Sequence, residues 1–156
     1  MERLRILDEI DIAAPPARVF RIAADVERWP RILPHYRYVR MREGSTASGI
    51  VEMSAWRPFP GFRWPTWWTS EMRTDPARRE VHYRHIQGVT RGMDVVWQVE
   101  PRDSGTHINL IHAWDGPGVP LLGKPAARLV ILPVFVHGIA ALTLAGVKRE
   151  AEQPHA

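Results

Sequence analysis

Three histidines, His85, His112 and His137, are the side chains of this sequence best suited to proton transfer. An unperturbed imidazole titrates at about pH 6.5, so it can act as acid or base near neutrality. Tyr36 and Ser70 add hydroxyls able to orient a reacting group. His82 and His85 are three residues apart, a metal-binding spacing on a helix, but on a strand they point to opposite faces. The chain contains no G-x-S-x-G, no phosphate-cradling glycine loop and no H-E-x-x-H. Asp115-Gly116-Pro117-Gly118 reads as a turn, not a calcium loop, so neither a metal nor a cofactor is expected.

The elements that must hold these residues show in the hydrophobic periodicity. "EIDI" (9–12) predicts a short strand, and Pro15-Pro16 suits the first turn of a helix. Val19, Ile22, Ala23 and Val26 then form one apolar helical face. Pro30 and Pro34 cut "RWPRILPHY" into a second short helix. From Tyr36 the period changes to two, through "IVEMSAW", "TWWTSEMR", "EVHYRHI", "GMDVVWQVE" and "HINLIHAW", with "RPFPGFRWP" as a loop tipped by Gly61. Consecutive strands with helices at the ends predict an α+β fold on an antiparallel sheet.

Alternation predicts one face carrying Trp68, Ser70 and Met72, with Val81, Tyr83 and His85. Met93, Val95, Trp97 and Val99 join it, as do Ile108, Leu110, His112 and Trp114. Large aromatics thus stand beside isolated polar groups. Two readings are open: an aromatic core with satisfied His and Ser, or the wall of an apolar cavity with a few polar handles.

"LVILPVFVHGIAALTLAGV" (129–147) is long enough to span a membrane. Pro133, His137 and the patterning of the preceding chain favour a buried core helix instead. Gly138, Ala141 and Ala145 form a row of small residues that would pack on the sheet or leave space beside it. Contact of this helix with a membrane or in a homodimer remains open.

The 156 residues suit one domain, and cysteine is absent, so nothing points to an oxidising compartment. The charged "MERLRILDEIDI" shows no signal peptide, and a cytoplasmic location is the default expectation. The net charge is +4, but arginines and acids are interleaved, so a mixed surface is expected and nucleic acid is not an expected partner.

"APPARVF" and "DVERWPRILPHY", followed by these strands and the terminal helix, resemble the START-like helix-grip superfamily. The sequence is most similar there to the polyketide cyclase/dehydrase (aromatase/cyclase) group, with coenzyme Q-binding proteins as near relatives. The resemblance covers nearly the whole chain. It implies one domain over residues 1–156, a curved sheet of about seven strands wrapped around a long C-terminal helix, and a hydrophobic cavity between them. It places Trp29 and Tyr36 in the wall and entrance, with "RPFPGFRWPTWW" as the opposing lip. In the aromatase/cyclases a Trp-Ser-Arg strand serves the pocket; Trp68 and Ser70 match, whereas Met72 stands where the arginine would align.

The expected ligand contacts are therefore Trp29, Met53, Trp68, Met72, Tyr83, Trp97, Leu110, Trp114, His137 and Ala141. The expected catalytic set is His112 or His85 as acid/base, with Tyr36 and Ser70 as orienting donors. Two functions follow: a cofactor-independent cyclase/dehydratase of polyketide-like chains, or a non-catalytic carrier of a lipid, quinone or similar apolar ligand. The first is preferred.

Overall fold

The computed structural model describes residues 3–118 and 123–154; the ends of the expected 1–156 domain lie outside the described residues. Strand β1 (Leu4–Ile12) precedes helix α1 (Pro16–Ala24), a 3-10 turn (Val26–Arg28) and the short α2 (Trp29–Ile32). Six strands follow: β2 (Tyr36–Gly44), β3 (Ser48–Phe59), β4 (Phe62–Asp75), β5 (Glu80–Gly88), β6 (Asp94–Arg102) and β7 (Gly105–Trp114). The chain then enters a continuous helix made of α3 (Gly123–Ala126), a π-helical segment (Ala127–Val136) and α4 (His137–Ala151).

The seven strands form one antiparallel sheet in the order β1-β7-β6-β5-β4-β3-β2. Every neighbour except the β1–β7 pair is a hairpin, so sequence order and spatial order nearly coincide. The helix α4 packs against β1, α1 and β3, and the buried side chains of both layers form the core. This is the α+β helix-grip arrangement expected from the sequence.

The alternation predicted for the inner face holds. In β7 every second residue from Thr106 to Trp114 is buried, and Val95, Trp97 and Val99 of β6 are buried beside it. Two boundaries differ. β1 begins at Leu4 instead of Glu9. Most of "RPFPGFRWP" is strand: β3 and β4 pair as far as Phe59 and Phe62, leaving Gly61, at φ +80°, in the tip. Three prolines in that stretch suggest a loop, but here they ride a long hairpin that projects beyond the core.

The π segment has a local cause. Pro133 cannot donate to the ladder and its ring crowds an α-helical turn, a conflict that the wider π turn relieves. Arg57 of β3 reaches across and donates from Nε to the Val134 carbonyl at 2.6 Å. Gly138 leaves room for it: a Cβ there would stand 2.2 Å from that Nε.

Candidate functional site

A cavity of about 420 Å³ lies between the concave sheet face and the C-terminal helix. Its deep wall is aromatic. Trp29 meets Tyr36 edge-on at 5.1 Å and tilts against Trp97 at 5.6 Å, and Tyr36 meets Trp68 at 6.2 Å. Trp68 stacks on the His85 imidazole with centroids 5.9 Å apart. The stack exists because Trp68 pairs with Gly88, past an irregularity that leaves Ile86 without a β4 partner. A side chain at Gly88, with φ +105°, would press to 2.8 Å from the Trp67 carbonyl.

Of the expected site residues, Trp29, Tyr36, Met53, Trp68, Tyr83, His85, Trp97, Leu110 and His112 line the cavity. The other five do not. Ser70 and Met72 share the inner face but are sealed in the core beyond the cavity, and Trp114 is fully buried with its indole donating to the Arg91 carbonyl at 2.9 Å. His137 turns away from the cavity; its Nδ1 bonds the buried Asp8 carboxylate, and the ring is half exposed. Ala141 is exposed on the outer face of α4. The helical phase is set by Ile139, Ala140, Thr143, Leu144 and Val147, whose burial outweighs a close fit of the small-residue row. Trp29 and Tyr36 are buried in the wall, not at the entrance.

The polar groups are few and differently committed. Thr143 organises one cluster. Its hydroxyl donates to the Ile139 carbonyl at 2.8 Å, lies 2.9 Å from His35 Nε2, and is hydrogen-bonded to the Tyr36 hydroxyl. His85 Nδ1 shares a 2.6 Å hydrogen bond with Thr90 Oγ1. The Tyr83 hydroxyl and His112 Nδ1 have no partner. Buried polar atoms without partners are uncommon in native proteins, and each costs about 1–3 kcal/mol.

Burial fixes the protonation states. Desolvation pulls His85 down to about 3, with the neighbouring His112 as a second cause, and desolvation alone pulls His112 down to about 4. Both imidazoles are neutral at pH 7. Desolvation raises the Tyr83 and Tyr36 phenols, which keep their protons. Among the described residues, no Asp, Glu, Lys or Arg lines the cavity. The site thus holds neutral donors and acceptors in an aromatic box.

Thr90, Thr143 and His35 were not read from the sequence. Thr90 sits in "QGVTRG", which looks like an ordinary hairpin turn, and Thr143 is a lone polar residue of an apolar helix. Their roles depend on what the fold places opposite them. Trp64, Trp67 and Val89 line the cavity and are also exposed, so the cavity opens there, at the expected lip.

The family described as "Polyketide cyclase / dehydrase and lipid transport" matches residues 3–152. A protein of Streptomyces cyaneus assigned as a polyketide cyclase is 31% identical over 106 residues, 65% of this chain and 66% of that protein. The granaticin polyketide synthase bifunctional cyclase/dehydratase of Streptomyces violaceoruber is 32% identical over 108 residues, 66% of this chain but 32% of that protein. The match therefore spans about two thirds of the first curated relative and one third of the second. The Zhui aromatase/cyclase from Streptomyces sp. R1128 has a similar fold, with a TM-score of 0.78 at 24% identity, over 96% of this chain and 94% of that one. With a matching sequence over nearly its whole length and a gripped helix above an aromatic cavity, the chain belongs to the polyketide cyclase/dehydrase and lipid transport family.

Proposed function

We propose that this protein is a cofactor-independent cyclase/dehydratase acting on a neutral, oxygen-bearing polyketide-like chain folded inside the cavity. One observation carries the reading: two neutral imidazoles and an unpartnered phenol meet in an aromatic cavity that, among the described residues, has no Asp, Glu, Lys or Arg. An apolar carrier has no use for them. A ring-closing enzyme does.

In the first step His112 takes a proton from a carbon next to a ketone. The C–H bond breaks, an N–H bond forms, and the electron pair moves to the ketone oxygen as an enolate, which the Tyr83 O–H stabilises. An imidazole held near 4 is a weak base in the empty site. The enolate that forms beside it favours the imidazolium, so the base strengthens as the proton transfers. The enolate carbon then attacks a second ketone, forming the ring bond and an alkoxide. The alkoxide takes the proton back from the His112 imidazolium and becomes a hydroxyl, which returns His112 to its neutral form. Loss of water follows: His112 or His85 takes a proton from the neighbouring carbon, the C–H pair forms the new double bond, and the imidazolium so formed gives that proton to the departing hydroxyl, which leaves as water.

The test pairs turnover with binding. His112→Ala is expected to lower ring closure of a poly-β-ketone analogue by about 100-fold or more while ligand affinity stays within a few fold. Unchanged turnover in both His112→Ala and His85→Ala overturns the acid/base assignment. A lipid or quinone that co-purifies in native mass spectrometry, with no turnover of ketone substrates, favours the carrier reading. That reading draws on Met72, which brings no guanidinium to the pocket.

A further inference from the structure

The rim of the cavity differs from the rest of the surface. Six of the eight large exposed apolar side chains among the described residues fall in three short segments: Phe62, Trp64 and Trp67 on the β3–β4 hairpin, Val89 in the β5–β6 turn, and Leu129 and Val130 on the π helix. The segments meet. Trp64, Trp67, Val89 and Ile131 all line the cavity where it opens, and Phe62 stacks on Phe59 at 4.9 Å, which in turn meets Phe135 of the π helix at 6.1 Å.

The rim segments are also positively charged. Residues 57–67, 88–93 and 123–136 contain Arg57, Arg63, Arg91, Lys124 and Arg128 and not one Asp or Glu. Residues 28–42 likewise hold five arginines and no acid, but none of the large exposed apolar side chains of the described residues lies among them, so apolar exposure and positive charge coincide at the rim. Within the helix Gly123–Ala151, an 18-residue window apolar enough to cross a bilayer is only 39% buried, so much of its apolar surface faces outward.

From this we propose that the cavity mouth docks on an anionic lipid bilayer, with Trp64, Trp67, Phe62, Val89, Leu129 and Val130 entering the interface and the five cations engaging the headgroups. Two features select a bilayer over a protein partner. Trp and exposed aliphatics ringed by Arg and Lys are the composition of an interfacial anchor. The patch also surrounds an opening, so docking gives the cavity a route to apolar molecules dissolved in the membrane without crossing water. This proposal goes beyond the cyclase reading and does not depend on it.

Co-sedimentation with two kinds of vesicle tests it: phosphatidylcholine alone, and phosphatidylcholine mixed with phosphatidylglycerol. The wild type is expected to pellet with the mixed vesicles, with a blue shift of tryptophan emission, and far less with phosphatidylcholine alone. Each cation near an anionic surface adds about 1 kcal/mol, so Arg91→Glu with Arg128→Glu should weaken binding at least about tenfold. Leu129→Ser with Val130→Ser should weaken it independently. All four positions are on the surface, and a small-molecule titration in vesicle-free buffer verifies that the cavity is intact and keeps this question apart from catalysis. Absence of wild-type binding to either vesicle overturns the proposal, as does full retention by the Arg91→Glu/Arg128→Glu variant. A wild-type dimer that the Leu129→Ser/Val130→Ser pair converts to monomer assigns the face to a second copy and also overturns it. So does capture of an acidic carrier protein by a face that ignores lipid.

Discussion

The Tyr83 hydroxyl has no partner inside the protein, and that separates stability from function at one atom. Removing a buried hydroxyl that bonds nothing costs no hydrogen bond and relieves desolvation. Tyr83→Phe is therefore expected to leave the melting temperature of the empty protein unchanged or slightly higher. It should weaken an oxygen-bearing ligand by about 1 kcal/mol or more, fivefold or greater in Kd by calorimetry. A clear loss of stability would mean that the hydroxyl is satisfied in solution. The histidines make a second residue-scale prediction. His85 and His112 have folded-state values of about 3 and about 4, below the ordinary imidazole value, so the unfolded chain binds protons more readily. Their contribution is complete above about pH 6.5 and is lost as pH falls toward 4, by up to about 1.4 kcal/mol per histidine per pH unit. His107, raised by its hydrogen bond to Asp11, acts in the opposite sense across the same range, so the measurement is cleanest in His107→Gln. Denaturant unfolding between pH 7 and 4 should then show a steep decline that His85→Gln with His112→Gln makes shallower, the remainder coming from His35, which burial also pulls down to about 4. A wild-type curve that stays flat to pH 4 contradicts the neutral, desolvated placement of both rings.

The π segment is the element most dependent on a single side chain. Arg57 bonds the Val134 carbonyl, packs where Gly138 has no side chain and lies over the Phe59 ring at 4.5 Å. It thereby ties the β3–β4 hairpin to the helix across the opening. Arg57→Met keeps the apolar stem and loses the charged hydrogen bond, worth about 1.5–3 kcal/mol. Amides of Ile131–Val136 should then exchange at least about tenfold faster in hydrogen-exchange mass spectrometry, while those of β6 and β7 stay protected. Equal acceleration in both regions would show global destabilisation instead of a loosened tie. This element also marks where the sequence stops being legible. Alternation in "GMDVVWQVE" and "HINLIHAW" identifies the inner faces of β6 and β7, because burial on one side of a sheet imposes a period of two. His85 and His112 are readable for the same reason. A helix that is apolar nearly all round carries no such phase signal. The pattern therefore suggests an inward row of small residues, whereas Ala141 and Ala145 are exposed and Gly138 packs under Arg57, and it draws His137 into the cavity, whereas Asp8 holds it outside. The tie from Arg57 to Val134 joins positions 77 residues apart and leaves no local trace.

At the scale of the whole molecule, charge is sorted by location. The chain carries +4, yet among the described residues the cavity wall has no Asp, Glu, Lys or Arg, and its two imidazoles are held neutral. A ligand entering the cavity must leave water without meeting a counter-charge. Moving a carboxylate into such a place costs several kcal/mol beyond what its hydrogen bonds return. A ketone or phenol of the same shape escapes that cost and can accept from Tyr83. The cavity should accordingly bind a neutral aromatic ketone at least about 100-fold more tightly than the matching carboxylate at pH 7. Protonation of the carboxylate should recover its affinity below its own pKa, at about pH 4, until the protein itself begins to unfold in acid. Calorimetric titration of the pair from pH 7 to 5 checks both halves. Over that range the carboxylate's affinity should rise toward the neutral limit by about tenfold per pH unit, while the ketone's stays flat. If the carboxylate binds as well as the ketone at pH 7, a cation must reach it. Arg57, the guanidinium bonded across the opening, lies over Phe59, which meets the lining residue Phe135. Arg57→Met in that titration would then remove the carboxylate's affinity and leave the ketone's intact. Ligand choice would in that case be set at the rim instead of the wall.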